Sequence, residues 1–248
     1  MFSCLPMPQS TLSIEPKLFW LLTVSGLILS ALLLNQFFAV NGAVDHWFIQ
    51  PWVASDGSFP YRENWWLTTI AHNWVKYFIL GIVLIYIIQF VGSFFIHRWQ
   101  NQRWVSAYVL LAMLCSSSLV GILKSMSEHA CPWSLAQPSS DGIMWLSHTF
   151  SLGKCFPGGH SSAGFGLLAL FFAYHLQAPK KAWLYLLAAL VLGFGMGWTQ
   201  MMRGAHFLSH NLWTLWFTWL VNVLLYFGYQ RLMQYKHNRA TIIQSSAD

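Results

Sequence analysis

Charge is the scarcest property of this chain. Only 8% of its 248 residues are Asp, Glu, Lys or Arg, against roughly 25% in a soluble domain, and that scarcity excludes a surface solvated by water on all sides. No polar stretch is long enough to build a separate soluble core, so the length corresponds to one membrane domain. The chain also lacks internal repeats, heptad patterns and low-complexity tracts. Residues 1–16 hold no basic n-region, and the first apolar run exceeds a signal h-region, so it reads as a retained span. The 4 cysteines include no Cys-x-x-Cys pair, which argues against a cysteine-based metal site.

Apolar residues make up 56% of the chain. Runs long enough to cross about 30 Å of hydrocarbon as helix lie at 17–38, 74–96, 104–123, 161–178, 182–202 and 209–230. The expected fold is therefore all-α, a polytopic bundle of six transmembrane helices. Its domain spans 17–235, between an N-terminal tail (1–16) and a C-terminal tail (236–248) that should fray over its last ten or so residues.

Orientation follows from Lys and Arg flanking short loops. Arg98 and Arg103 follow the second run, Lys180 and Lys181 the fourth, and Arg231, Lys236 and Arg239 the sixth. These loops belong in the cytoplasm, as do both termini. The formal net charge of +6 then reports loops facing anionic lipid, with no nucleic-acid partner. The charges of the alternate loops roughly cancel, with no basic excess: Asp45, Asp56, Arg62 and Glu63 in the first, Lys124, Glu128, Asp141 and Lys154 in the third.

The first external loop, with the start of the second run, is rich in aromatics: Trp47, Phe48, Trp52, Phe59, Tyr61, Trp65, Trp66 and Trp74. Such rings favour the headgroup zone, either as an interfacial belt or as a guide for a lipid substrate. Cys131 and Cys155 share the third loop, bridged if the compartment is oxidising and free otherwise. Cys115 and Cys4 are bystanders. His46, His72, His129 and His148 fall in external segments; His97, His175 and His237 fall near the cytoplasmic face.

Ionisable groups at membrane depth are costly and mark functional sites, and here three segments gather them at one face. Lys124 closes the third run. Cys155-Phe-Pro-Gly158-Gly159-His160-Ser161 opens the fourth. Gln200-Met-Met-Arg203-Gly-Ala-His206-Phe-Leu-Ser-His210 joins the fifth and sixth. Lys124 and Arg203 supply positive charge, and Arg a fork that matches phosphate. Gly158 and Gly159 before a helix start expose backbone N–H groups to an anion. Two histidines allow one to attack phosphorus while the other protonates the departing oxygen. Metal chemistry is an open alternative for His206 and His210, since His-x3-His on a helix is ligand spacing; no metal ligand set is assigned.

These segments resemble the type 2 phosphatidic acid phosphatases, which are marked by Lys-x6-Arg-Pro, Pro-Ser-Gly-His and Ser-Arg-x5-His-x3-Asp. The corresponding stretches are Lys124-x6-Cys131-Pro132, Pro157-Gly158-Gly159-His160 and Gly204-Ala205-His206-x3-His210. Cys131 stands for Arg, Gly158 for Ser, Thr199-Gln200 for Ser-Arg and His210 for Asp. The resemblance implies a metal-independent, cofactor-free lipid phosphatase with His206 as the phosphohistidine nucleophile and His160 as the acid. Lys124, Arg203, Gly158, Gly159 and Ser161 hold phosphate, and His210 takes the place of the carboxylate that orients the nucleophile. Arg203 three residues before His206 would share its helical face. A second register, with His210 attacking and Thr214 orienting it, stays open.

The implied location is a bacterial inner membrane with the site facing the periplasm. The implied substrate is a phosphorylated lipid such as undecaprenyl diphosphate, phosphatidylglycerophosphate, phosphatidic acid or lipid A. Phosphotransfer to another lipid, or phospholipid binding without catalysis, are the rival readings; oligomeric state is not read.

Overall fold

The computed structural model describes residues 15–147 and 153–245. The expectations for Cys4, His148 and most of the tail 1–16 lie outside the described residues, as does the side chain of His72.

In chain order the elements are α1 (Lys17–Phe37), α2 (Ala43–Ile49), a π-helical turn Trp66–Trp74 leading into α3 (Val75–Gly92), and α4 (Arg103–Met126). A hairpin of β1 (Ala136–Ser139) and β2 (Gly142–Trp145) follows, then α5 (Ser161–Gly166), α6 (Leu168–Tyr174), α7 (Pro179–Met202) and α8 (Leu208–Ser245). Ala136 pairs with Trp145 and Ser139 with Gly142 in the antiparallel hairpin.

Among the described residues, 5 helices are long and apolar enough to cross a bilayer: α1, the Trp66–Gly92 helix, α4, α7 and α8. The sixth expected span, 161–178, is instead a shorter apolar helix over Ser161–Tyr174, interrupted at Leu167. Its environment explains the difference. From 161 to 173 every residue except Ala163 is buried, so α5 and α6 form a core packed by α4, α7 and α8, with no length demanded by contact with lipid. Small residues let this core pack closely, as membrane bundles require. A Cβ added to Gly164 would lie 2.5 Å from the backbone nitrogen of Gly193 in α7.

Two further boundaries depart from expectation. The second span starts at Trp66 rather than 74 because Asn64 caps it, its Oδ1 accepting from Leu67 N–H at 3.3 Å. The C-terminal segment expected to fray continues α8 to Ser245. The hairpin is a minor exception to the all-α expectation.

α1 lies against α8 with an almost wholly lipid-facing surface; Leu27 is its one buried residue. Trp216 Nε1–H donates to Leu27 O at 3.0 Å. At the Lys17 end, Glu15 is buried and receives hydrogen bonds from Tyr226 Oη and His175 Nδ1, both 2.8 Å. At the opposite end, a second cluster of Ile49, Phe59, Leu135, Ala136 and Phe207 caps the bundle, drawing the first loop, the hairpin and the start of α8 together. Trp47, Trp65, Trp66 and Trp74 stay exposed around it.

Candidate active site

Lys124 lies in the last turn of α4 and its aliphatic stem runs over the turn before α5. A Cβ built on Gly159 would meet Lys124 Cδ at 3.3 Å. His160 occupies the N-cap position of α5 without making a side-chain capping bond, so its ring is directed elsewhere. It faces His206 with ring centroids 5.8 Å apart, and His206 faces His210 at 5.6 Å.

His206 stands between α7 and α8. α7 stops at Met202, Gly204 turns the chain with φ +71, and Gln200 O receives Ala205 N–H at 2.8 Å and His206 N–H at 3.4 Å. The expectation that Arg203 and His206 share one helical face fails here, because that turn lies between them. His206 is 1% exposed. The backbone of Cys155 lies close enough to act on its ring. Its Nε2 has no hydrogen-bond partner; with the proton on Nδ1, Nε2 carries a free lone pair. His210 Nδ1 approaches the same Nδ1 at 3.4 Å. Burial, followed by the nearby His210, Lys124 and His160, holds the His206 pKa well below the ordinary histidine value.

The Gly-Gly turn divides its duties. Gly158 N–H donates to His210 O at 3.1 Å, so it is committed to the protein; that corrects the expectation that it offers itself to an anion. Gly158 O accepts from Ser161 Oγ at 2.8 Å and Thr214 Oγ1 at 3.1 Å, which places Thr214 on the turn, away from an orienting role at His210 Nδ1. A Cβ at Gly158 would lie 2.6 Å from Asn211 Oδ1, so a side chain there requires Asn211 to shift. The turn is thereby locked to α8 with Gly159 facing Lys124.

Arg203 is half-buried. Its Nε–H donates to Arg62 O at 2.8 Å and its Nη1–H to Gln200 Oε1 at 3.2 Å. Burial lowers its pKa, opposed by Glu63.

A disulfide joins Cys131 to Cys155, with Cα atoms 5.2 Å apart. It ties the loop after α4 to the segment that leads into the Gly-Gly turn and α5. Closing a loop of 24 residues stabilises the fold by roughly 3 kcal/mol in the chain-entropy account. Cys131→Ser should therefore lower the thermal midpoint in detergent by several degrees and reduce turnover; an unchanged midpoint would show that the bridge does not constrain the chain.

A residue that anchors the start of α8 escaped the sequence reading. Asp45, counted there as loop charge, is 1% exposed. Its carboxylate receives Ser209 N–H at 2.8 Å, Ser209 Oγ–H, and Asn41 N–H at 2.9 Å, capping the start of α8 just after His206, where a negative charge is favoured. Burial pushes its pKa up to about 6 against these hydrogen bonds. His46 bonds Asn41 Oδ1 at 2.9 Å and stacks on Trp145, so it belongs to this interlock. Glu128 and His129 line a separate pocket with Phe156, whose ring meets His210 at 5.5 Å. Among the described residues no cluster of three or more His, Cys, Asp or Glu has metal-binding geometry.

No curated protein and no solved structure matches the chain. The PAP2 superfamily profile matches residues 105–234, more than half of the chain, and encloses Lys124, the Gly-Gly-His160 turn and the His206–His210 segment. With the helices long enough to span a bilayer, that match gives the chain its place: it belongs to the PAP2 superfamily, phosphatase-type membrane enzymes that act on phosphate esters.

Proposed function

We propose that the protein hydrolyses a phosphate or diphosphate monoester of a lipid, presented from the outer leaflet to a site on the extracytoplasmic side of a bacterial inner membrane. The observation that carries this reading is the His206 ring, buried, unpartnered at Nε2 and faced by His160. In the proposed reaction Nε2 attacks phosphorus and forms an N–P bond as the P–O bond to the lipid breaks, while His160 protonates the departing oxygen. Water then attacks the phosphohistidine, gives its proton to His160, and inorganic phosphate leaves. Lys124 and the α5 turn at Gly159 and Ser161 meet the phosphoryl oxygens, with Arg203 adding positive charge behind them. His210 orients Nδ1, the duty the family gives to a carboxylate. The Cys131–Cys155 bridge supports the oxidising side of the membrane.

Purified protein in detergent should release phosphate from a panel of undecaprenyl diphosphate, phosphatidylglycerophosphate, phosphatidic acid and lipid A with EDTA present. Loss of release on chelation would favour the metal reading, and transfer of phosphate to a lipid alcohol would favour the phosphotransferase.

The depressed His206 pKa sets the acid limb. Attack needs the neutral ring, and the folded chain keeps it neutral below the ordinary value of roughly 6.5. The limb of kcat/KM assigned to His206 should accordingly fall below pH 6.5. Stability follows the same sign: the unfolded chain takes the proton first, so the His206 contribution is complete above about pH 6.5 and is lost as pH drops beneath it. A limb above 7 that disappears with His206 would contradict the assignment.

A further inference from the structure

We propose that the Gln200 carboxamide donates to a phosphoryl oxygen in this site and that Arg203 is the positioning residue that aims it. The inference rests on the phosphoryl-transfer reading above and adds a donor to it.

Gln200 is in the last turn of α7 and 1% exposed. Its Oε1 accepts from Arg203 Nη1 at 3.2 Å, yet its Nε2, equally buried, has no hydrogen-bond partner. That assignment of oxygen and nitrogen is fixed by chemistry, since a flipped amide would set N–H against the guanidinium N–H. A buried amide N–H2 with nothing to donate to is costly, and its neighbourhood shows what would repay the cost. The backbone oxygen of Gln200 holds Ala205 N–H and His206 N–H, so residue 200 anchors the turn that carries the nucleophile. His206 Nε2 is the other buried orphan of that turn. An anion bound in front of His206 gives both atoms a partner.

Arg203 is held from outside. Its Nε–H is spent on Arg62 O at 2.8 Å, and the Arg62 guanidinium is itself seated over Trp133, 4.3 Å from the ring centroid. Clamped there, Arg203 reaches the phosphate through Gln200. A guanidinium donating to the amide oxygen polarises the N–H groups at its far end and strengthens them as donors to an anion.

The test is a double-variant cycle read by turnover and by affinity for orthovanadate, a phosphate analogue that becomes five-coordinate when a nucleophile binds it, using calorimetry on the full chain in detergent. Gln200→Ala should lower kcat by about 10²-fold, the usual loss for one oxyanion donor, and weaken vanadate by a similar factor. Arg203→Ala should lose roughly 10-fold, and the double variant should be no worse than Gln200→Ala, since partners in one chain are not additive. Gln200→Glu guards against misfolding: it keeps the oxygen that accepts from Arg203 and replaces the donor, so vanadate affinity should collapse while the thermal midpoint holds. A purely structural glutamine would move the midpoint and leave vanadate affinity alone.

Vanadate affinity in both Gln200 variants within about twofold of wild type overturns the proposal, as do single losses that multiply in the double variant. Failure of wild type to release phosphate from any lipid sinks the functional reading instead, and vanadate affinity still decides the role of Gln200; wild type that binds no vanadate overturns both.

Discussion

His206→Ala should abolish phosphate release, a fall on the order of 10⁵-fold, because no other group can take over a covalent step once the nucleophile is gone. The fold should survive. The ring packs against two other histidines, while the turn that carries it is held by main-chain bonds to Gln200 O. His210→Ala supplies the contrast. Its Nδ1 approaches His206 Nδ1 at 3.4 Å, an orienting contact to the nucleophile, so turnover should fall roughly 10- to 100-fold, as for loss of an outer partner. Acid-labile phosphate trapped on wild type but absent from His206→Ala would fix the nucleophile. Equal abolition by both variants, with phosphate still trapped on His206→Ala, would move the attack to His210.

The sites and the departures from the family pattern were legible in unequal measure. Span positions came through because lipid imposes apolar length wherever a helix meets it: α1, α4, α7 and α8 begin or end close to the expected runs. The run 161–178 came through in part, as a shorter apolar helix over Ser161–Tyr174, because a helix enclosed by others is not held to the length that lipid contact demands. The histidines and Lys124 stood out because polar groups beside apolar runs are conspicuous. Gln200 did not, because an uncharged residue in a helix turn announces nothing until its orphaned nitrogen is seen. Asp45 was hidden by distance along the chain: its partner Ser209 is 164 residues away, and only folding the first loop onto α8 reveals the cap. Gly158 illustrates a departure with a reason. Where the family has serine, this chain fills the space with Asn211, which presses on Gly158 from one side and on Gly197 from the other. Restoring the serine alone would therefore require the Asn211 side chain to move.

His160→Gln should cut turnover of lipid phosphates by about 10²- to 10⁴-fold, the usual contribution of a positioned acid, and the loss should depend on the leaving group. A lipid alkoxide is a poor leaving group that needs the proton as the P–O bond breaks, whereas p-nitrophenolate departs without help. The variant should accordingly retain far more of its activity on p-nitrophenyl phosphate than on phosphatidic acid. The first step then outruns the second, because water still needs a base to attack the phosphohistidine, and His160 is also that base. Phosphohistidine should accumulate on His160→Gln during p-nitrophenyl phosphate turnover, visible as a burst of nitrophenol equal to the enzyme present followed by a slow steady rate. Such a burst requires both roles to reside in one ring. Equal losses on the two substrates, with no burst, would make His160 a residue that holds the turn between Gly159 and α5 rather than one that moves a proton, and the acid would have to be sought among the groups around the Phe156 pocket, where His129 is the nearest histidine by ring contact.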